Sequence, residues 1–163
     1  MNTRETIRAD LARLGVQSGA LVMVHASLKA IGPVEGGAAS VVSALLDAVA
    51  PTGSLMGYAS WDRSPYEETL NGARMDAKLR HRWPQFDPAI SGTYRGFGLL
   101  NRFLLRTPGA RRSAHPDASM VAVGPLAGTL TQPHELGQAF GPSSPLERFV
   151  ERAGKVLLLG APL

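Results

Sequence analysis

Ala20-Leu21-Val22-Met23-Val24, framed by Gly19 and His25 and followed by Ala26-Ser27-Leu28-Lys29, decides how this chain folds. An apolar run without a polar interruption, bounded by a glycine and a polar turn, reads as a buried strand. Upstream, Thr3 is placed to cap a helix with Ile7, Leu11 and Leu14 at helical spacing and Gly15 closing it. Downstream, Gly32, Gly36 and Gly37 lead into a second helical pattern of Val41, Val42, Leu45, Leu46 and Val49. Pro51-Thr52-Gly53 then turns the chain into another strand over residues 54–60. Strand, helix, strand is the unit that builds parallel sheets. The expected fold class is therefore α/β, a mixed or mostly parallel sheet with flanking helices.

Farther along, the pattern dissolves over residues 61–92, where three prolines, charges of both signs and both tryptophans lie. A long irregular segment inside a compact domain is usually functional or disordered, and two aromatics of the buried type argue against disorder. Residues 97–107 look helical and 118–123 form a strand. Ser144 caps a short helix carrying Leu146, Phe149 and Val150, Gly154 ends it, and 155–159 begins one more strand. Gly160-Ala161-Pro162-Leu163 reads as a strand-to-loop transition. The expectation is one α/β domain over 1–163, the N-terminal part of a longer protein and incomplete at its C-terminus. Neither an internal repeat nor a low-complexity tract interrupts it.

Composition narrows the classes. Hydrophobic content of 44% and charged content of 18% are globular values. No apolar run approaches the length of a membrane span, and the first ten residues lack the apolar core of a secretory signal. With no cysteine, disulfides and thiolate metal sites are excluded, and a reducing cytoplasm is the expected compartment. Seventeen basic residues against thirteen acidic give +4. That excess invites an anionic partner, but only Arg111-Arg112 and residues 78–82 are locally dense. Neither patch is interleaved with stacking aromatics, so a small phosphorylated ligand is expected rather than nucleic acid.

Three polar clusters could carry chemistry. Val24-His25-Ala26-Ser27-Leu28-Lys29 leaves the first strand, where backbone N–H groups and the Ser27 hydroxyl can face a ligand; a plain strand-to-helix turn with a capping serine is the alternative. Arg111-Arg112-Ser113-Ala114-His115-Pro116-Asp117-Ala118-Ser119 precedes an apolar strand. Paired guanidiniums bind phosphate bidentately and serine hydroxyls can complete the cradle, the alternative being a solvated loop. Ser60-Trp61-Asp62-Arg63-Ser64-Pro65-Tyr66-Glu67-Glu68 offers carboxylates and rings to a cationic, hydroxylated ligand, or else is an acidic turn with its tryptophan in the core. His134-Glu135 begins like a zinc-protease element but lacks the second histidine.

In this order the stretches VHASLKAIGPVEGG (24–37), GYASWDRSPYEETLNGAR (57–74), FDPAISGTYRGFG (86–98), RRSAHPDASMVAVGP (111–125), PHELG (133–137) and SPLERF (144–149) resemble the antibiotic aminoglycoside 3-N-acetyltransferase family. The resemblance runs from about Leu14 to the last residue. It implies a family-specific fold distinct from the common N-acetyltransferase fold, and acetyl transfer from acetyl-CoA to the 3-amino group of a deoxystreptamine aminoglycoside. It places His25, Ala26, Ser27, Leu28, Lys29, Arg112, Ser113, Ala114, His115 and Ser119 along the CoA site, and Asp62, Tyr66 and Glu67 on the drug side. No metal is implied. The family's general base, a histidine in a His-x-x-Glu element, is expected beyond Leu163. Without it these 163 residues are expected to show negligible transfer. A non-catalytic CoA- or nucleotide-binding module, an inactive fragment and, far behind, a nucleic-acid-binding domain are the rival readings. The oligomeric state and the range of drugs accepted are not legible.

Overall fold

The computed structural model describes residues 1–66, 69 and 72–161. Helix α1, Arg4–Arg13, starts where Thr3 and Thr6 cap each other reciprocally, each side chain taking the other's backbone N–H, and buries Ile7 and Leu11. Leu14, expected on that buried face, is 65% exposed, because the helix ends at Arg13 and Leu14 is only its cap. Strand β1, Leu21–Ala26, follows, then the single turn α2, Leu28–Ile31, and helix α3, Gly37–Val49. Strand β2 is Ser54–Tyr58, α4 is Ala77–Arg82, and a 3₁₀ turn, Arg95–Phe97, precedes α5, Leu100–Leu105. The continuous helix expected over 97–107 is broken because Gly98 sits at φ 86°, outside helical geometry. Strands β3, Arg111–Arg112, and β4, Met120–Val123, form a hairpin; α6 is Ala127–Thr131, α7 Pro145–Glu151 and β5 Lys155–Leu159.

The five strands make one mixed sheet in the order β3-β4-β2-β1-β5. β1 is parallel to both β2 and β5, whereas β4 runs antiparallel to β2 and to β3. Residues alternate between faces, as a strand's period of two requires. Val22, Val24, Leu55, Val121 and Val123 pack with Ile7, Leu11, Val41 and Leu45 of α1 and α3. Leu21, Met23, Met56, Met120 and Ala122 face Leu130 of α6 and Phe149 of α7. The sheet is thus covered on both sides, which is why its strands read as unbroken apolar runs.

The antiparallel β4 has one consequence for function. Its first residue, Met120, pairs with the last of β2, Tyr58. The 113–119 turn therefore lies on the same sheet edge as the carboxyl ends of β1, β2 and β5. Three backbone bonds tie the irregular segment to that edge: Ala59 N–H to Ser119 O, Trp61 N–H to Pro116 O, and Tyr94 N–H to Ser60 O, at 2.7–2.8 Å. No helix among the described residues is long and apolar enough to cross a membrane.

Candidate functional site

Two clefts open at this edge and share Asp62. The first, of about 620 Å³, is walled by Trp61, Tyr66, Tyr94, Phe97 and Phe140 and carries Asp62, Asp117, His115, Ser60 and Ser64. Its rings form a connected set: Tyr94 meets Phe97 edge-on at 5.4 Å, Phe97 stacks on Tyr58 at 5.2 Å, and Tyr58 meets Phe140 at 6.2 Å. The rings present π faces that attract cations and pack sugar faces, while two carboxylates supply the charge. Asp117 accepts a hydrogen bond from the Ser64 hydroxyl. Burial pushes its carboxyl up, with nearby His115 pulling it partly back.

The histidines have defined roles. His115 is buried, and Ala118 N–H donates to its Nδ1 at 3.1 Å. Burial lowers its pKa, so the ring is neutral near pH 7 with its hydrogen on Nε2. His134 lies against it, ring centroids 4.8 Å apart. The Nε2 of His134 faces the Ala139 carbonyl at 3.1 Å, and its Nδ1 meets the Ser113 hydroxyl at 2.8 Å. A carbonyl only accepts, so His134 carries its hydrogen on Nε2 and accepts from Ser113. Both histidines are donors toward their surroundings rather than bases.

Arg112, Ser113 and Ser119, expected as a phosphate cradle, are engaged in this structure by hydrogen bonds within the protein. Arg112 is 8% exposed, and its guanidinium is consumed by the protein. Nε donates to Ser119 Oγ at 3.1 Å, Nη1 to Ser91 O at 2.5 Å, and Nη2 to Gly92 O at 2.9 Å and to Ala59 O. The group also lies over the Phe86 ring at 4.9 Å. Desolvation pulls its pKa down to about 10, and Asp62 partly offsets this. Ser119 donates to Ala59 O at 2.7 Å, and Ser113 Oγ accepts from Met120 N–H at 2.9 Å. Both serines are fully buried, and Ala114 alone in this turn is exposed. Arg112 is a clamp that ties the 86–92 segment to the sheet.

At the β1 mouth, the N–H of Ser27 is not free either: it donates to Leu159 O at 3.0 Å. Its hydroxyl caps α2 by accepting from Ala30 N–H at 3.4 Å, the plain capping role. His25 and Ala26 end β1, Leu28 and Lys29 open α2, and the His25 ring lies 5.6 Å from that of Tyr58. Residues 25–29 and His115 thus stand on one sheet edge; the aromatic cleft is lined by His115 and not by residues 25–29. Asp62 and Tyr66 line the aromatic cleft, and Glu67 lies outside the described residues.

Tyr58, Phe97, Phe140 and Asp117 are not among the residues the sequence singles out, and His134 enters there only as an incomplete zinc-protease element. Only Asp117 carried a usable signal, a carboxylate two residues after His115. Among the described residues, no three His, Cys, Asp or Glu side chains gather to hold a metal.

A mixed five-stranded sheet with an aromatic, carboxylate-bearing cleft at the carboxyl ends of its parallel strands defines an α/β protein with a cleft where such folds bind ligands. Residues 23–163 match the model of the aminoglycoside 3-N-acetyltransferase family. The chain belongs to that family. An aminoglycoside N(3)-acetyltransferase III from Serratia marcescens is 78% identical over 163 residues, which are 100% of this chain and 61% of that protein. The crystal structure of aminoglycoside acetyltransferase AAC(3)-IIb superposes with a TM-score of 0.96 at 78% identity, covering 100% of this chain and 60% of its own. AAC-IIIb in binary complex with CoASH gives 0.92 at 41% identity, over 99% of this chain and 60% of that one. The chain therefore spans about 60% of the length of these relatives.

Proposed function

We propose that the protein acetylates the 3-amino group of deoxystreptamine aminoglycosides with acetyl-CoA as donor. One observation carries this: the aromatic cleft, holding Asp62 and Asp117, lies beside the β1 mouth at the sheet edge where α/β folds bind ligands. Ammonium groups of a polyamine sugar would pair with the carboxylates while its rings pack on Tyr94, Phe97 and Phe140. The donor is assigned to residues 25–29 at the β1 mouth, beside Tyr58. That one solved relative is bound to sisomicin and another to CoASH supports the choice of drug and donor.

Transfer requires the amine to lose a proton as its nitrogen attacks the thioester carbonyl and the thiolate departs. His115, with its Nδ1 accepting from Ala118 and its hydrogen on Nε2, is suited to donate a hydrogen bond to the acceptor, not to take that proton. None of His25, His81, His115 and His134 stands in a His-x-x-Glu element.

Calorimetry with gentamicin and with CoA tests the reading. Asp62→Asn and Asp117→Asn should each weaken gentamicin binding about tenfold, the worth of one charged hydrogen bond, and leave CoA affinity unchanged. A protein that binds CoA and ignores the drug would overturn it in favour of a CoA-binding module.

A further inference from the structure

The second cleft, of about 520 Å³, is lined by Arg95, Arg102, Arg106, Arg111 and Arg112, with Gln132, and by the 88–93 segment. Arg112 is used up in clamping that segment, donating to Ser91 O and Gly92 O. The other four arginines are exposed, and none has a side-chain hydrogen bond or ion pair among the described residues. Asp62, on the border with the aromatic cleft, is the one carboxylate in the lining. Arg102 and Arg106 stand four residues apart on the α5 turn, a like-charge arrangement that opposes the helix rather than supporting it. Without these four, the seventeen basic side chains fall to thirteen, matching the thirteen acidic ones. The chain's whole excess of charge is thus equivalent to what one cleft holds.

We propose that this cleft is a binding site for a polyvalent oxyanion, its ligand being clustered phosphate or sulfate groups. Guanidiniums bind such oxygens bidentately, and a concave wall of one sign focuses the field at its mouth. Gln132 adds amide donors at the rim. The wall is preformed, because the Arg112 clamp and the Phe86 stack hold the 86–92 segment before any ligand arrives. A pocket of this size fits a few phosphates rather than a nucleic-acid groove. The inference is independent of the acetyltransferase reading and remains whatever the aromatic cleft binds.

Titration calorimetry with inorganic tripolyphosphate at low salt tests it. Binding should weaken about tenfold in each of Arg102→Gln, Arg106→Gln and Arg111→Gln and vanish in the triple variant. Melting without anion should not fall in these variants, since only exposed like charges are removed. Arg80→Gln/Arg82→Gln on α4, outside the lining, should bind as the parent does. Equal weakening in that control means diffuse charge attraction and overturns the site, as does a parent that fails to bind. Competition by CoA, lost in the triple variant, would identify the donor's own phosphates as the source. Absence of competition would leave a free polyphosphate or sulfate ester. A short single-stranded oligonucleotide that outcompetes tripolyphosphate at near-physiological salt through the same arginines would make the cleft part of a nucleic-acid surface and overturn the proposal.

Discussion

Arg112 gathers more of this protein's architecture than any other side chain. Its guanidinium satisfies the carbonyls of Ala59, Ser91 and Gly92 while burying itself over Phe86. Removing it leaves the Ser91 and Gly92 carbonyls without that donor, and a void, so Arg112→Ala should cost about 3 kcal/mol in chemical denaturation. Arg112→Lys should recover little, since an ammonium cannot reproduce the planar fork. Isolated in the sequence, Arg111-Arg112 suggests phosphate because arginine chemistry is the same whether the oxygens belong to a ligand or to the backbone. Only the neighbours decide. The buried histidines give a second test. Burial depresses both His115 and His134 below the ordinary imidazole pKa. Their neutral forms support the fold above the unfolded pKa of about 6.5, and that support is lost as pH falls from there toward the folded values. Stability should therefore drop between pH 7.5 and the upper edge of the carboxylate range, and less so in His134→Gln. Denaturant midpoints across that window would reveal it. Asp117, raised by burial, acts in the opposite sense, since protonation at lower pH relieves the cost of burying its charge.

Elements with a period were legible and those without one were not. α1, α3 and α7 declare themselves through caps and apolar spacing. Ser144 illustrates the local logic: its hydroxyl accepts from Glu147 N–H at 3.2 Å, Glu147 in turn accepts from Ser143 N–H at 2.5 Å, and Pro145 occupies the first turn. Ser144→Ala should cost about 1 kcal/mol, read as a lowered melting midpoint. α4, with the sequence AKLRHR, buries nothing. Carrying no apolar stripe, it looks like a charged loop until its Asp76 cap is seen accepting from Lys78 and Leu79. Arg111–Arg112 is a strand only because β4 supplies its partner. A two-residue ladder has no signature of its own.

The whole molecule is ordered around the pair β1 and β2, which lie inside the sheet and carry residues of both cores. Hydrogen exchange should be slowest at residues 22–24 and 55–57, and fastest within 72–85, whose backbone bonds are local and solvent-facing. Protection of that segment equal to the central strands would contradict this picture. The two clefts arise from the same geometry. Reversing β4 brings its first residue to the edge where the parallel strands end, and Asp62 then stands between an aromatic chamber and a cationic one.

By itself the chain of residues specified the α/β class, the caps, the two-faced strands and the segments from which a site would be made. These are properties of spacing, and spacing is local. Which polar groups meet a ligand was decided only by packing. The Ser113, Ser119 and Arg112 side chains turned inward to answer buried carbonyls and amides, while Asp117, Phe97 and Phe140, far apart along the chain, came to one wall. A polar atom's partner is set by distance in space, and no reading along the backbone supplies that coordinate.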